Sequence, residues 1–198
     1  GLRIVIACLA LGVGAIAGVA SLREGIARGL AAQGSTLLGG DLDIESAAVR
    51  LPPSLSAWLR ARGAKTSEVV TLRSMLIAPS GKTLLVEPKA VDGAWPLLGA
   101  SGLAPGALAP RDGVAGLVGE ALVAERLGIT PGITLRLGNE NFRYAGLLPH
   151  EPDGVATPSI LGPRALVPLA SLDAAGLITT GSFFSDHLRV LLAHPGDA

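Results

Sequence analysis

The chain has 198 residues, zero net charge from 16 basic and 16 acidic side chains, and six aromatics, two Trp, one Tyr and three Phe. That balance excludes the basic face and stacking rings on which nucleic-acid binding depends. The single cysteine, Cys8, rules out an internal disulfide; it lies in an apolar run and leaves the rest of the chain without a thiolate for catalysis or metal.

The first element is a charge-free run of nineteen residues from Ile4 to Leu22, bracketed by Arg3 and Arg23. As a helix it measures roughly 28 Å, close to the ~30 Å hydrocarbon thickness of a bilayer. A transmembrane helix is the expectation. Three other readings share some of its features. A signal peptide would use Ala15-Ile16-Ala17 as its cleavage site, but the run is longer than the usual apolar core of such a leader. A dinucleotide site would use Gly12, Gly14 and Gly18 with Asp41 or Asp43 downstream, but the stretch before Gly12 is too long and alanine-rich for a strand. A buried helix of a soluble core is rarely so long and so apolar.

Small residues recur along this segment at spacings of three and four: Ala7, Ala10, Gly14, Gly18, Ser21, Gly25, Gly29 and Ala32. That spacing puts them on one helical face. Gly14 and Gly18 make a small-xxx-small pair of the kind that lets membrane helices approach closely, and Gly25 and Gly29 repeat it beyond the charge-free span. The candidate helix-packing residues are therefore Gly14, Gly18, Ser21, Gly25 and Gly29. A second stripe of Leu22, Ile26, Leu30 and Leu37, broken by Gln33, gives the extension an apolar face. One helix is predicted from about Leu2 to Leu38, stopped by Gly39-Gly40 and rising out of the membrane as a stalk.

The body of the chain is built of short elements, consistent with 27 glycines and 14 prolines. Asp41–Glu45 alternates as a half-buried strand. Pro52-Pro53 opens a helix through Arg62, with Leu55, Trp58 and Leu59 on its inner face and Gly63 ending it. Lys65–Ala78 reads as a strand, Pro79-Ser80-Gly81 as a turn and Lys82–Val91 as the returning strand. Asp92–Asp112 has no period and reads as a connector. A helix comes next at Gly119–Leu127 with Leu122, Val123 and Leu127 inward, then a hairpin of Ile133–Leu137 and Asn141–Leu148 about Gly138-Asn139. Glu151–Pro158 reads as a loop, Pro168–Ala175 as a helix stopped by Gly176, and Asp186–Leu192 as a last strand.

Outside residues 97–163 the order is strand, helix, strand, strand, helix, strand, which is that of a ferredoxin-like βαββαβ unit. The expected class is α+β. A transmembrane and stalk helix (1–40) precedes an α+β subdomain (41–96 plus 164–198), which is interrupted by a small inserted β-rich subdomain (97–163).

Motifs for chemistry are weak. Gly81-Lys82-Thr83 imitates the end of a phosphate loop, but Leu76 stands where its first glycine belongs and a strand comes after it instead of a helix. His150, His187 and His194 have no metal spacing, and His150-Glu151-Pro152-Asp153 reads as a solvated loop. Ser101, Ser159 and Ser185 lack a histidine and acid in sequence to pair with, and no HExxH or G-x-S-x-G occurs. Glu87, Lys89 and Asp92 read as a solvated face or local ion pairs. No catalytic, cofactor or metal residue is assigned, and the expectation is that the chain is not an enzyme.

Several stretches together resemble a known family. They are Gly12–Gly18 at the end of the anchor, Gly39-Gly40-Asp41-Leu42, Leu85–Asp92, Leu127–Gly132 with Leu135–Gly138, and Leu161–Arg164 with Leu172–Ile178. In this order they resemble the MacB/FtsX-type ABC transporter permeases, most of all the YbbP-like branch. The resemblance implies a first membrane helix leading into an extracytoplasmic, porter-like domain of ferredoxin-like type with a β-rich insertion. It places the amino terminus in the bacterial cytoplasm and residues after about 22 outside. It implies that ATP is bound by a separate ATPase subunit and that no cofactor is held here. The implied partners are that ATPase, membrane lipid, and the remaining permease helices or a second permease copy. The chain opens on Gly1 and stops at Ala198, as a piece of a longer permease would. The alternative is a secreted or membrane-anchored binding or structural domain with no transport role.

Overall fold

A single helix, α1 (Leu2–Leu38), begins the chain with the bounds the sequence predicts. Its run of alanine and leucine favours helix, and Gly39 at φ 71° stops it, since glycine enters the left-handed region without steric cost. The computed structural model describes residues 1–149, 151–152, 162–179 and 181–193; within α1 the side chains at positions 5, 7, 8, 10, 20 and 27–38 lie outside that description. Residues 1–35 form one compact unit and residues 36–198 another.

In the second unit β1 (Leu42–Ala47) leads to α2 (Pro53–Arg60), then β2 (Lys65–Leu72), β3 (Ser74–Ile77) and β4 (Thr83–Val91). β5 (Ala115–Gly119), α3 (Ala121–Leu127), β6 (Thr134–Leu137), β7 (Glu140–Leu147), β8 (Arg164–Pro168) and β9 (Phe184–Leu191) complete it. The strands join in one sheet of order β1-β9-β2-β4-β3-β6-β7-β5-β8, with β8 also paired to β4. That last pairing closes β3, β4, β8, β5, β7 and β6 into a six-stranded barrel. β1, β9 and β2 extend from it as an open antiparallel wing, and β4 belongs to both parts.

The mixed α and β class is as expected, but the ferredoxin-like topology is not what forms. In that fold the third strand lies between the first two; here β9, the last, lies between β1 and β2, antiparallel to both. The helix expected at Pro168–Ala175 is absent. Arg164–Pro168 extends beside β4, and the chain then makes a single 3-10 turn at Leu169–Ser171. Strands from 97–163 and from the flanking segments share the barrel, so the expected insertion forms no separate sheet.

The expected strand Lys65–Ala78 divides at Arg73. β2 and β3 keep one register along β4, from Thr71↔Lys89 to Ser74↔Val86, but Leu72 falls opposite Pro88, which has no N–H to donate.

Among the described residues, alternation along the strands builds three buried clusters, one of them Val69, Val91, Val118 and Leu166. Leu76, Val86, Leu117, Leu135, Phe142, Tyr144 and Val167 fill the barrel, with Val123 and Leu127 of α3 among them. Under α2, Leu51, Leu55 and Leu59 cover Ala64, Leu188 and Val190 of the wing. Two side chains expected inside are not: Trp58 is 53% exposed, with the Arg62 guanidinium 3.7 Å from its ring centroid, and Leu122 is 40% exposed. Each helix is only two turns long, so its inner face holds fewer residues than the sequence pattern offers.

Candidate functional site

Two features could carry function: the small-residue face of α1 and a buried charge cluster on the wing. On α1, ideal Cβ atoms built at Gly14, Gly18 and Gly25 would meet nothing within 4 Å. Ser21 is exposed, and Gly29 lies in the helix with its surroundings outside the described ones. The large aliphatics Ile4, Ile6, Leu9, Leu11, Val13, Ile16, Val19, Leu22 and Ile26 are also exposed, and their angles go all round the helix. Among the described residues no helix is long and apolar enough to cross a membrane.

The second feature lies on the face of the wing opposite α2. Period two sends Lys89 and Glu87 of β4, His187 and Arg189 of β9, and Asp43 and Glu45 of β1 to this side. Lys89, which the sequence suggests is solvated, is 2% exposed and donates to Glu151. Arg164 of β8 brings Nη1 to 2.7 Å from both oxygens of the same carboxylate. Glu87 lies 3.9 Å from Arg164 Nη2, and the Lys89 ammonium sits 5.3 Å from the Trp95 ring centroid. At the outer end, His187 Nδ1 is 3.0 Å from Asp43 Oδ2, with Glu45 4.0 Å from Nε2. Asp92 accepts from Ser67 Oγ at 2.7 Å and from the Glu68 N–H at 2.9 Å.

Burial drives the Lys89 ammonium down to about 8 against the pull of Glu151. For Glu151 burial pushes upward, but Lys89 and Arg164 outweigh it and hold the carboxyl below its ordinary value. His187 is raised first by its hydrogen bond to Asp43, against its own burial. Through Lys89 and Arg164 the cluster ties residue 151 to β4 and β8. Glu151 is thus a half-buried ion-pair partner and not a solvated carboxylate; His150, Asp153, Ser159 and His194 lie outside the described residues. Thr83 opens a strand, so the phosphate-loop imitation has no helix behind it. Among the described residues no group of three or more His, Cys, Asp or Glu could hold a metal.

The second unit also carries hollows, among them these two. A cleft of about 690 Å³ is bordered by Ala47, Thr71, Arg73, Glu87 and Phe183. A second, of about 540 Å³, lies under the connector between Trp95, Leu103, Leu108 and Pro168.

Across 189 residues the chain is 31% identical to a protein of Escherichia coli (strain K12) named Uncharacterized ABC transporter permease YbbP. The chain is a homologue of an ABC transporter permease. The alignment takes in 91% of this chain and 22% of YbbP, so the chain spans about a fifth of that permease's length. The resemblance carried by the short stretches is therefore borne out, and it is to YbbP that they point. No family model matches the chain. A solved domain from a Porphyromonas gingivalis protein described as a permease superposes with a TM-score of 0.40 at 14% identity, covering 66% of this chain and 57% of that one. That is too loose a likeness to bear on fold or function.

What sequence reasoning missed is the tie. Lys89 and Glu151 are 62 positions apart, and Glu151 sits in a stretch whose composition is that of a loop. The one signal available was Lys89 itself, set with Glu87 in the largely apolar strand β4, where a lysine needs a partner if both faces are covered.

Proposed function

We propose that the chain is part of the membrane subunit of an ABC-type machine, in which a separate ATPase subunit hydrolyses ATP and this chain carries the resulting movement to a domain outside the cell membrane. The observation that carries this reading is the 31% identity to YbbP over 91% of the chain. The first half of α1 crosses the bilayer with the amino terminus in the cytoplasm. A charge-free run long enough for the hydrocarbon core and aliphatics facing every direction support this, since a helix apolar all round needs lipid or protein about it. The face of Gly14, Gly18, Ser21, Gly25 and Gly29 is for other permease helices, whether of the same subunit or of a second copy. The chain contributes position and movement, no catalytic group, and ATP is its only implied nucleotide, held elsewhere. The cargo is an envelope molecule or a partner protein.

Cysteine accessibility in intact cells tests this. With Cys8→Ala as background, a membrane-impermeant maleimide should label Lys65→Cys directly and Arg3→Cys only after lysis. Recovery of a mature chain cut after Ala17 would replace the permease reading with that of a secreted domain, and labelling in the reverse order would overturn it by placing residue 65 in the cytoplasm.

A further inference from the structure

The wing leaves one strand with an unpaired side. The six barrel strands close on themselves, β2 and β9 each have a neighbour on both sides, and among the described residues β1 pairs with β9 alone. The phase of the ladder identifies the outward groups. Ala48 N–H donates to the Phe184 carbonyl at 2.8 Å, in the same register as Ala47↔Ser185, so the hydrogen-bonded pairs with β9 run through Ser46, Ile44 and Leu42. The N–H and C=O of Asp43 and Glu45 therefore point away from β9. No residue of β1 is buried.

We propose that β1 is a docking edge for an extended segment of another protein in which basic and apolar side chains alternate, added to the wing as a further strand. Charge selects this occupant. Asp43 and Glu45 put carboxylates on the face that carries His187, while Leu42 and Ile44 project on the other, and an incoming strand meets the same alternation. A second copy docking through its own β1 would set acidic residues beside acidic residues, since the strand reads Asp-Leu-Asp-Ile-Glu from position 41. Like charges in directly opposed positions destabilise a pair, so the edge refuses itself. Lysine or arginine at those positions turns the same contacts favourable, and the outward N–H and C=O groups supply the main-chain bonds of strand addition. The edge has these properties whether or not the chain belongs to a transporter.

The test uses the full chain in detergent micelles, with two six-residue peptides as probes, one alternating lysine with valine and one alternating glutamate with valine. The lysine peptide should bind about tenfold more tightly than the glutamate peptide. It should slow amide exchange at Asp43 and Glu45 without changing that at Leu42 and Ile44. Glu45→Pro removes an outward N–H but none of the bonds to β9, and should abolish binding while the unfolding midpoint is kept. Asp43→Asn with Glu45→Gln leaves every backbone group in place and should erase the preference between the two peptides, which answers the question should the proline variant fail to fold. Equal binding of both peptides to the unmodified chain, no binding of either, or protection anywhere but at residue 43, 45 or 47, whose backbone groups share the outward phase, overturns the proposal.

Discussion

Arg50 Nε donates to Asp186 Oδ2 at 2.9 Å, tying the entrance of α2 to the middle of β9 across 136 positions of the chain. The Asp186 side chain is fully buried, and the same oxygen accepts the Leu51 N–H at 2.8 Å, so one carboxylate fixes both a side chain and the start of a helix. Arg50 also pairs with Glu68. Burial works against its guanidinium, yet Glu68 and Asp186 outweigh that and raise its pKa.

Removing the cation should be costly, because it leaves a carboxylate in the sheet with only a backbone donor. Arg50→Ala is expected to destabilise the domain by about 3 kcal/mol, the low end for breaking a buried pair because Arg50 keeps a third of its surface exposed. Asp186→Asn, which keeps shape and one acceptor, should cost roughly half as much. Urea unfolding of both variants checks the order; an Arg50→Ala loss under ~1 kcal/mol would show that the bond is incidental.

Stability should have two opposed slopes with pH. His187 has its pKa raised above 6.5 by Asp43, so the folded chain holds this proton more tightly than the unfolded one. Its contribution is complete below about pH 6.5 and is lost as pH climbs through the raised value. Lys89 runs the other way. Its pKa falls from 10.5 to about 8, the folded chain gives up the proton first, and stability rises between those values. Urea midpoints from pH 6 to 10 should fall and then climb. His187→Gln should remove the descent and Lys89→Met the ascent, and a flat profile in the unmodified chain would contradict both assignments.

How far this could be read from the sequence depended on how local the cause was. The bounds of α1 come from composition and Gly39, and the β3–β4 hairpin from the turn at Pro79-Ser80-Gly81, causes that lie within a few residues of their effects. β5 escaped notice because Ala115–Gly119 is covered on both faces and shows no alternation. Pro168–Ala175 carries helical spacing, but the pairing of Arg164–Pro168 with β4, a contact between distant residues, holds the chain extended up to Pro168, and only a 3-10 turn at Leu169–Ser171 comes after it. Barrel closure and the Lys89–Glu151 tie join residues far apart in sequence, and no window of the chain contains both sides of either.

The connector over the barrel depends on a missing side chain. Gly116 N–H donates to the Leu108 carbonyl at 3.1 Å, and a Cβ at residue 116 would stand 1.9 Å from the Ala107 carbonyl oxygen. Backbone on both sides leaves no flexible group to yield. Gly116→Ala is expected to cost about 2–3 kcal/mol and to free the connector, read as faster amide exchange at Leu108 and new protease cleavage between 97 and 112. Gly113→Ala tests a different cause. A Cβ there meets nothing within 4 Å, but φ is +79°, so its smaller loss of about 1 kcal/mol should be pure backbone strain without release of the connector.

The small-residue face of α1 gives the last expectation. Among the described residues, a Cβ at Gly18 or Gly25 would meet nothing within 4 Å. Gly18→Leu adds apolar surface and helix propensity, and should leave the unfolding midpoint of residues 36–198 unchanged. If the face packs against other permease helices, Gly18→Leu and Gly25→Leu should each lose most of the ATPase subunit and sister helices recovered with the full-length permease, because leucine holds backbones apart where glycine lets them meet. Gly12→Leu lies off that face and serves as the control, with recovery unchanged. Equal recovery for all three variants would reduce α1 to a tether, and loss with Gly12→Leu alone would move the contact to the opposite side of the helix.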